Sequence, residues 1–131
     1  MAPVSTLLKP LRHARLWLGL WCVALLGVIA VCLIPPPPLA LPPNSDKLEH
    51  FLAYFVLAAC AVQLFATRRV LGAVALGLVL MGIGIEWAQG ALTATRMADP
   101  MDALANTSGV VAGMLTTLTP LRDLLLRLQP R

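Results

Sequence analysis

The stretch VLGAVALGLVLMGIGIEWAQ, residues 70–89, decides the fold. Residues 70–85 hold no ionisable side chain, and then the chain meets Glu86. A helix that is apolar all round belongs in lipid or at the centre of a large protein. A chain of 131 residues has no such centre. Working outward, three more stretches have the same character. They are residues 16–34, a segment from Ser45 or Asp46 to about Ala66, and one from Asp99 to about Thr119. The expected fold class is therefore all-α, an integral membrane four-helix transmembrane bundle. Residues 1–15 form a basic tail, 16–119 the membrane domain and 120–131 an interfacial tail.

Composition agrees. The chain is 59% hydrophobic and 12% charged, with mean hydropathy +0.83. No soluble domain of this size hides that much apolar surface. The pI near 9.5 does not point to nucleic acid, because the basic residues form no continuous stripe. Eight of the ten Lys and Arg residues (Lys9, Arg12, Arg15, Arg68, Arg69, Arg122, Arg127 and Arg131) share one side under a four-span topology. Lys and Arg near span ends are retained in the cytoplasm, so both termini are expected there, in a multi-pass protein of the plasma or inner membrane. Asp46, Lys47, Glu49, His50, Glu86, Arg96, Asp99 and Asp102 then cluster at the outward ends.

The first span, ~19 residues or ~28 Å long, just crosses a bilayer core. It is too long for a signal-peptide core and reads as an uncleaved anchor. Trp17 and Trp21 are expected at its interfacial end. Pro35 to Pro38, with Pro42 and Pro43, predict a stiff polyproline linker. Asp46 and Glu49 fit a capping box for the second helix. Arg68 and Arg69 make a tight turn, and an outer loop is expected over residues 89–98. Gly72, Gly77, Gly82 and Gly84, and the Gly109/Gly113 pair, predict close helix approach. Asp99 and Pro100 are suited to N-cap and first position of the last span. Beyond Pro120, Leu121, Leu124, Leu125 and Leu128 would face lipid and Arg122 and Arg127 the headgroups. Cys22, Cys32 and Cys60 lie in apolar spans, without metal-ligand spacing, and read as small buried hydrophobes.

Three polar stripes carry the candidate site. Asp46, His50 and Tyr54 are spaced i, i+4, i+8 down one helix face. An Asp one turn above a His fixes its tautomer, and the Tyr54 hydroxyl, ~12 Å below Asp46, needs a partner inside the hydrocarbon. Glu86 and Gln89 share a second face, with Gly82 one turn back. Asp99, Asp102, Asn106, Gly109 and Gly113 form a third. Asp99 and Asp102 also serve as plain cap and helix-dipole partner, whereas Asn106 must hydrogen-bond across helices. Arg96, the only arginine on its side, is expected to pair with an acid or an anionic group. His50, Glu86, Asp99 and Asp102 are all metal-ligand types. Mixed oxygen and imidazole donors select no single metal, so the group reads first as a proton-sharing polar network with no metal assigned.

In order, Asp46-Lys47-x-x-His50-Phe51-x-x-Tyr54, Glu86-x-x-Gln89 and Arg96-x-x-Asp99-x-x-Asp102-x-x-x-Asn106-x-x-Gly109-x-x-x-Gly113 resemble the VanZ-like family. These are small bacterial integral membrane proteins, named for one linked to teicoplanin resistance. The resemblance implies a cell-envelope role and altered lipoglycopeptide sensitivity, with membrane lipids or a lipid-linked precursor as partner. As an enzyme on an envelope lipid or lipid-linked sugar, the chain would use His50 or Glu86 as general acid or base, Asp46 to orient His50, Asp102 beside them, and Lys47 with Arg96 on a phosphate. Tyr54, Gln89, Asp99 and Asn106 would complete the binding surface. As a non-enzymatic headgroup binder it would use the same charges for recognition. A proton-coupled transporter fits less well, because the polar groups cluster near one surface. No cofactor and no oligomeric state follow from these residues.

Overall fold

A computed structural model describes residues 4–35 and 38–129, the side chains of Val4 and Ser5 excepted. The expectations placed on residues 1–3, Pro36, Pro37 and Arg131 lie outside that range. The chain is all-helical: α1 Val4–Leu7, α2 Ala14–Leu33, α3 Ser45–Leu64, α4 Arg68–Leu92, α5 Pro100–Met114 and α6 Leu124–Leu128, with 3-10 turns at Leu115–Leu118 and Pro120–Asp123. Helices α2, α3 and α4 are each long and apolar enough to cross a membrane. A fourth crossing requires Pro100–Leu118 and Pro120–Leu128, bent by 81° at the Thr119 break, to count as one span. Pro120 has no N–H to continue the ladder, so the chain turns there. Three to four such helices suggest a multi-pass membrane protein.

Local chemistry sets most helix ends. The Thr67 hydroxyl accepts from the Val70 N–H at 3.3 Å and starts α4. Asp99 caps α5 as expected, its Oδ1 accepting from the Met101 N–H at 2.9 Å, with Pro100 at the first position. The capping box expected at Asp46 and Glu49 does not form. Asn44, left-handed at φ 62°, precedes α3 with no side-chain cap, and Asp46 turns to Lys47 instead. Helix α4 also outlasts its apolar run and carries Gln89, expected in a loop, within its last turns.

Helices α3 and α5 form the closest pair. A Cβ at Gly113 would stand 2.6 Å from the Phe55 carbonyl oxygen and 2.9 Å from the Ala59 nitrogen. One at Gly109 would collide with the Phe51 carbonyl oxygen. Close approach in α4 is narrower than the sequence predicts. Of these four only Gly82 meets neighbours, Asn106 and the Tyr54 hydroxyl, while Gly72, Gly77 and Gly84 face open space, and Gly90 near the end of α4 lies against Ala98. Helix α2 buries no residue fully. Trp21, expected at an interface, instead donates its indole N–H to the Leu57 carbonyl at 2.9 Å and meets Phe65 edge-on.

The basic tail is a docked segment. Leu8 and Leu11 are buried with Ala61, Leu64 and Phe65. The Lys9 N–H donates to the Leu64 carbonyl at 2.8 Å, and the Lys9 ammonium to Asp123 Oδ1 at 2.9 Å. Leu125 joins the same cluster, while Leu121, Leu124 and Leu128 stay exposed as the amphipathic reading expects.

Candidate functional site

The first turns of α3 and α5 and the last turns of α4 meet at the end of the bundle that carries the proline linker. Lys47 on α3 reaches across to α5. Its ammonium donates to Asp99 Oδ2 and Asp102 Oδ1, each at 2.5 Å, and to Asp46 Oδ2 at 2.9 Å. Asp99 lies outside the helices, and its carboxyl is held below the usual range, first by the Lys47 ammonium and then by the Met101 N–H. Lys47 is thus the counter-ion of an acid cluster, a role different from the phosphate contact expected of it.

His50 lies one turn below Asp46, but Asp46 does not orient it. Its Nδ1 is 2.9 Å from Asn106 Oδ1, and its Nε2 is 3.5 Å from Asp102 Oδ2. An amide oxygen accepts and cannot donate, so Nδ1 donates to Asn106 and Nε2 is left facing the Asp102 carboxylate. The orienting residue is Asn106 on α5, reached because Gly109 and Gly113 bring that helix against α3. Asn106 Nδ2 and the Tyr54 hydroxyl are both buried beside Gly82 without a hydrogen-bond partner among the described residues.

Glu86 is 6% exposed. Its Oε2 accepts from the Asp99 N–H at 2.9 Å, while its Oε1 is buried with no donor. Ligand-type atoms of His50, Glu86 and Asp102 all lie within 4.8 Å of one another. The three expected stripes therefore converge on one cluster, drawn from α3, α4 and α5.

Gln89 and Arg96 do something else. The carbonyls of residues 31–34 would bond, in a continuing helix, to the N–H groups of residues 35–38. Those four are proline and carry none. Arg96 supplies the missing donors, Nε to the Ile34 oxygen at 3.2 Å and Nη2 to the Val31 oxygen at 3.3 Å. Gln89 Nε2 donates to the Cys32 oxygen at 2.7 Å. Both were expected at a binding surface, and both close the end of the first helix. Arg96→Ala should lower stability by about 1–2 kcal/mol, the net worth of two such bonds. Thermal unfolding in detergent checks this. An unchanged midpoint would show that these bonds do not hold α2.

A cavity of about 340 Å³ opens between α2 and α3. Ala24, Gly27, Val28, Val31, Ala53 and the Tyr54 ring give it apolar surface, and Glu49, His50 and Arg96 its polar groups. Glu49, expected both in a capping box and among the outward ionisable groups, lines this cavity. Its spacing from Ala53, one turn on, was the available signal for a shared face toward α2.

Fold and site together define a class: a small all-helical chain with three to four helices long and apolar enough to cross a membrane, and an acid–histidine cluster at one end of its bundle. Compared with known proteins, the chain matches no family model, no curated protein and no solved structure.

Proposed function

We propose that this is a multi-pass protein of the bacterial inner membrane, with both termini cytoplasmic, whose His50–Glu86–Asp102 cluster faces outward and receives the headgroup of an envelope lipid or lipid-linked sugar. The observation that carries the reading is the cavity between α2 and α3, whose lining is mostly apolar and includes the polar groups of Glu49, His50 and Arg96. An amphiphile fits such a shape, with its chain along Val28 and Val31 and its headgroup beside His50. The asymmetry of basic residues supports the orientation, and the motif order supports a VanZ-like relationship, with its link to lipoglycopeptide sensitivity. As an enzyme, the chain would use the polar face of the His50–Glu86–Asp102 cluster at the headgroup, with Asn106 orienting the His50 ring. As a binder, it would use the same face for recognition alone.

Gly27 provides the test. It lines the cavity, and a Cβ there meets nothing within 4 Å, so Gly27→Leu fills the cavity without disturbing helix packing. Native mass spectrometry of protein extracted from bacterial membranes should show a retained isoprenoid-phosphate or glycosylated lipid in the parent. Gly27→Leu should lose it at unchanged thermal stability. Equal retention by both proteins, or only bulk phospholipid in both, would rule the reading out.

A further inference from the structure

We propose that His50, Glu86 and Asp102 form a binding site for one first-row divalent cation of the Zn²⁺ or Mn²⁺ type. Three observations converge on it. The first is geometry. Each residue comes from a different helix, and their ligand atoms fall within 4.8 Å of one another, with His50 Nε2 and Asp102 Oδ2 3.5 Å apart. An ion about 2.0–2.2 Å from each of two donors sets those donors roughly 3–4 Å apart.

The second is the direction of the imidazole. Asn106 Oδ1 accepts from Nδ1, so Nε2 is turned toward the carboxylate of Asp102. A ring nitrogen and a carboxylate oxygen held 3.5 Å apart require a positive charge between them, supplied by a proton on Nε2 or by a bound cation. Metal-bound histidines are held in this manner, with the far N–H donated to a fixed oxygen. Asn106 is then a positioning residue.

The third is charge. Glu86 is more than nine-tenths buried, and its Oε1 has no donor. A buried carboxylate oxygen in that state requires a proton or a positive partner. Among the described residues the nearby Lys47 and Arg96 are engaged elsewhere, so the positive charge comes either from an imidazolium at His50 or from a bound cation. Lys47 is held by Asp46, Asp99 and Asp102 Oδ1, and Arg96 caps α2. The same reasoning excludes the neighbouring group Asp46, Asp99 and Asp102, whose centre already holds the Lys47 ammonium.

The donor set selects the kind of ion. One imidazole and two carboxylates are too few for Ca²⁺, which takes six to eight oxygens, and the nitrogen favours first-row ions over Mg²⁺. Three protein ligands leave coordination positions open. His50 also lines the cavity, so an open position there would accept a phosphate or hydroxyl oxygen of the headgroup. That last role rests on the function proposed above, but the ion site itself does not.

The experiment uses the full chain in detergent, stripped with chelator and freed of lipid. Equilibrium dialysis with Zn²⁺, and electron paramagnetic resonance with Mn²⁺, should each find one ion per chain, and Mg²⁺ should compete at least tenfold less well. Glu86→Gln and His50→Gln should each weaken binding at least tenfold, while Ser108→Ala, on the exposed face of α5, leaves it unchanged. Metal should raise the unfolding midpoint of the parent and not that of Glu86→Gln, whose metal-free midpoint establishes that it folds. Absence of stoichiometric binding would overturn the proposal and leave a protonated Glu86 to close the cluster. So would binding that survives both substitutions. Because no lipid is present, the result is separate from that of Gly27→Leu.

Discussion

Gly109→Ala, the addition of a single methyl group, is expected to separate α3 from α5. The new Cβ would collide with the Phe51 carbonyl oxygen and lie 3.0 Å from the Phe55 nitrogen. These are backbone atoms of a helix, so no side chain can rotate to make room. Overpacking of a rigid contact costs about 3 kcal/mol or more, a large share of the stability of a small domain. Gly113→Ala should behave similarly, since it meets the Phe55 oxygen at 2.6 Å. Gly77→Ala is the contrast, because nothing lies within 4 Å of its Cβ. It should be neutral or gain up to about 1 kcal/mol, from the higher helix propensity of alanine. Thermal unfolding in detergent, followed by circular dichroism, compares the three. A Gly109→Ala protein that unfolds with the parent would mean that α3 and α5 are not in backbone contact. The separation would also carry Asn106 away from His50, so metal binding should fail with it.

Lys47→Met should be the next most damaging change. It leaves the stem in place and removes the charge shared by Asp46, Asp99 and Asp102. Breaking a fully buried ion pair by deleting one partner costs about 3–5 kcal/mol. Lys47 keeps 26% of its side-chain exposure, so a loss of about 2–3 kcal/mol is expected, mostly from the more enclosed Asp102. The effect has a pH signature. The folded Asp99 carboxyl titrates below its unfolded value because of Lys47. Its stabilising contribution is therefore present above the ordinary carboxylate range and lost as pH falls through the lower, folded value. The parent should weaken on acidification below about pH 4, and Lys47→Met should weaken less over the same interval. Parallel acid profiles for the two proteins would show that Lys47 does not set the Asp99 titration.

Much of this was legible from local pattern. The apolar runs predicted the long helices, and Asp99-Pro100 predicted the start of α5 together with its cap. The i, i+4 and i, i+3 spacings placed His50, Glu86 and Asp102 near one end of their helices, where they do meet. Both outcomes depend on neighbours along one chain segment, which is what periodicity encodes.

Partner choice was not legible, because it depends on how helices approach. Asp46 is one turn from His50 and was the obvious orienting acid, yet Asn106 takes that place because Gly109 and Gly113 let α5 come close. Gln89 and Arg96 looked like binding groups. The proline run deprives α2 of the N–H groups its last carbonyls need, and only the packing of α4 and its loop against α2 brought these two side chains within reach. Of Gly72, Gly77, Gly82 and Gly84, tertiary structure alone selected Gly82 as the contact. Sequence by itself determined which segments are helical and apolar, and which end of each carries polar chemistry, since those follow from side-chain type and helical period. Tertiary structure decided which polar group bonds to which, because a hydrogen bond is set by distances of a few tenths of an ångström between segments that the sequence holds far apart.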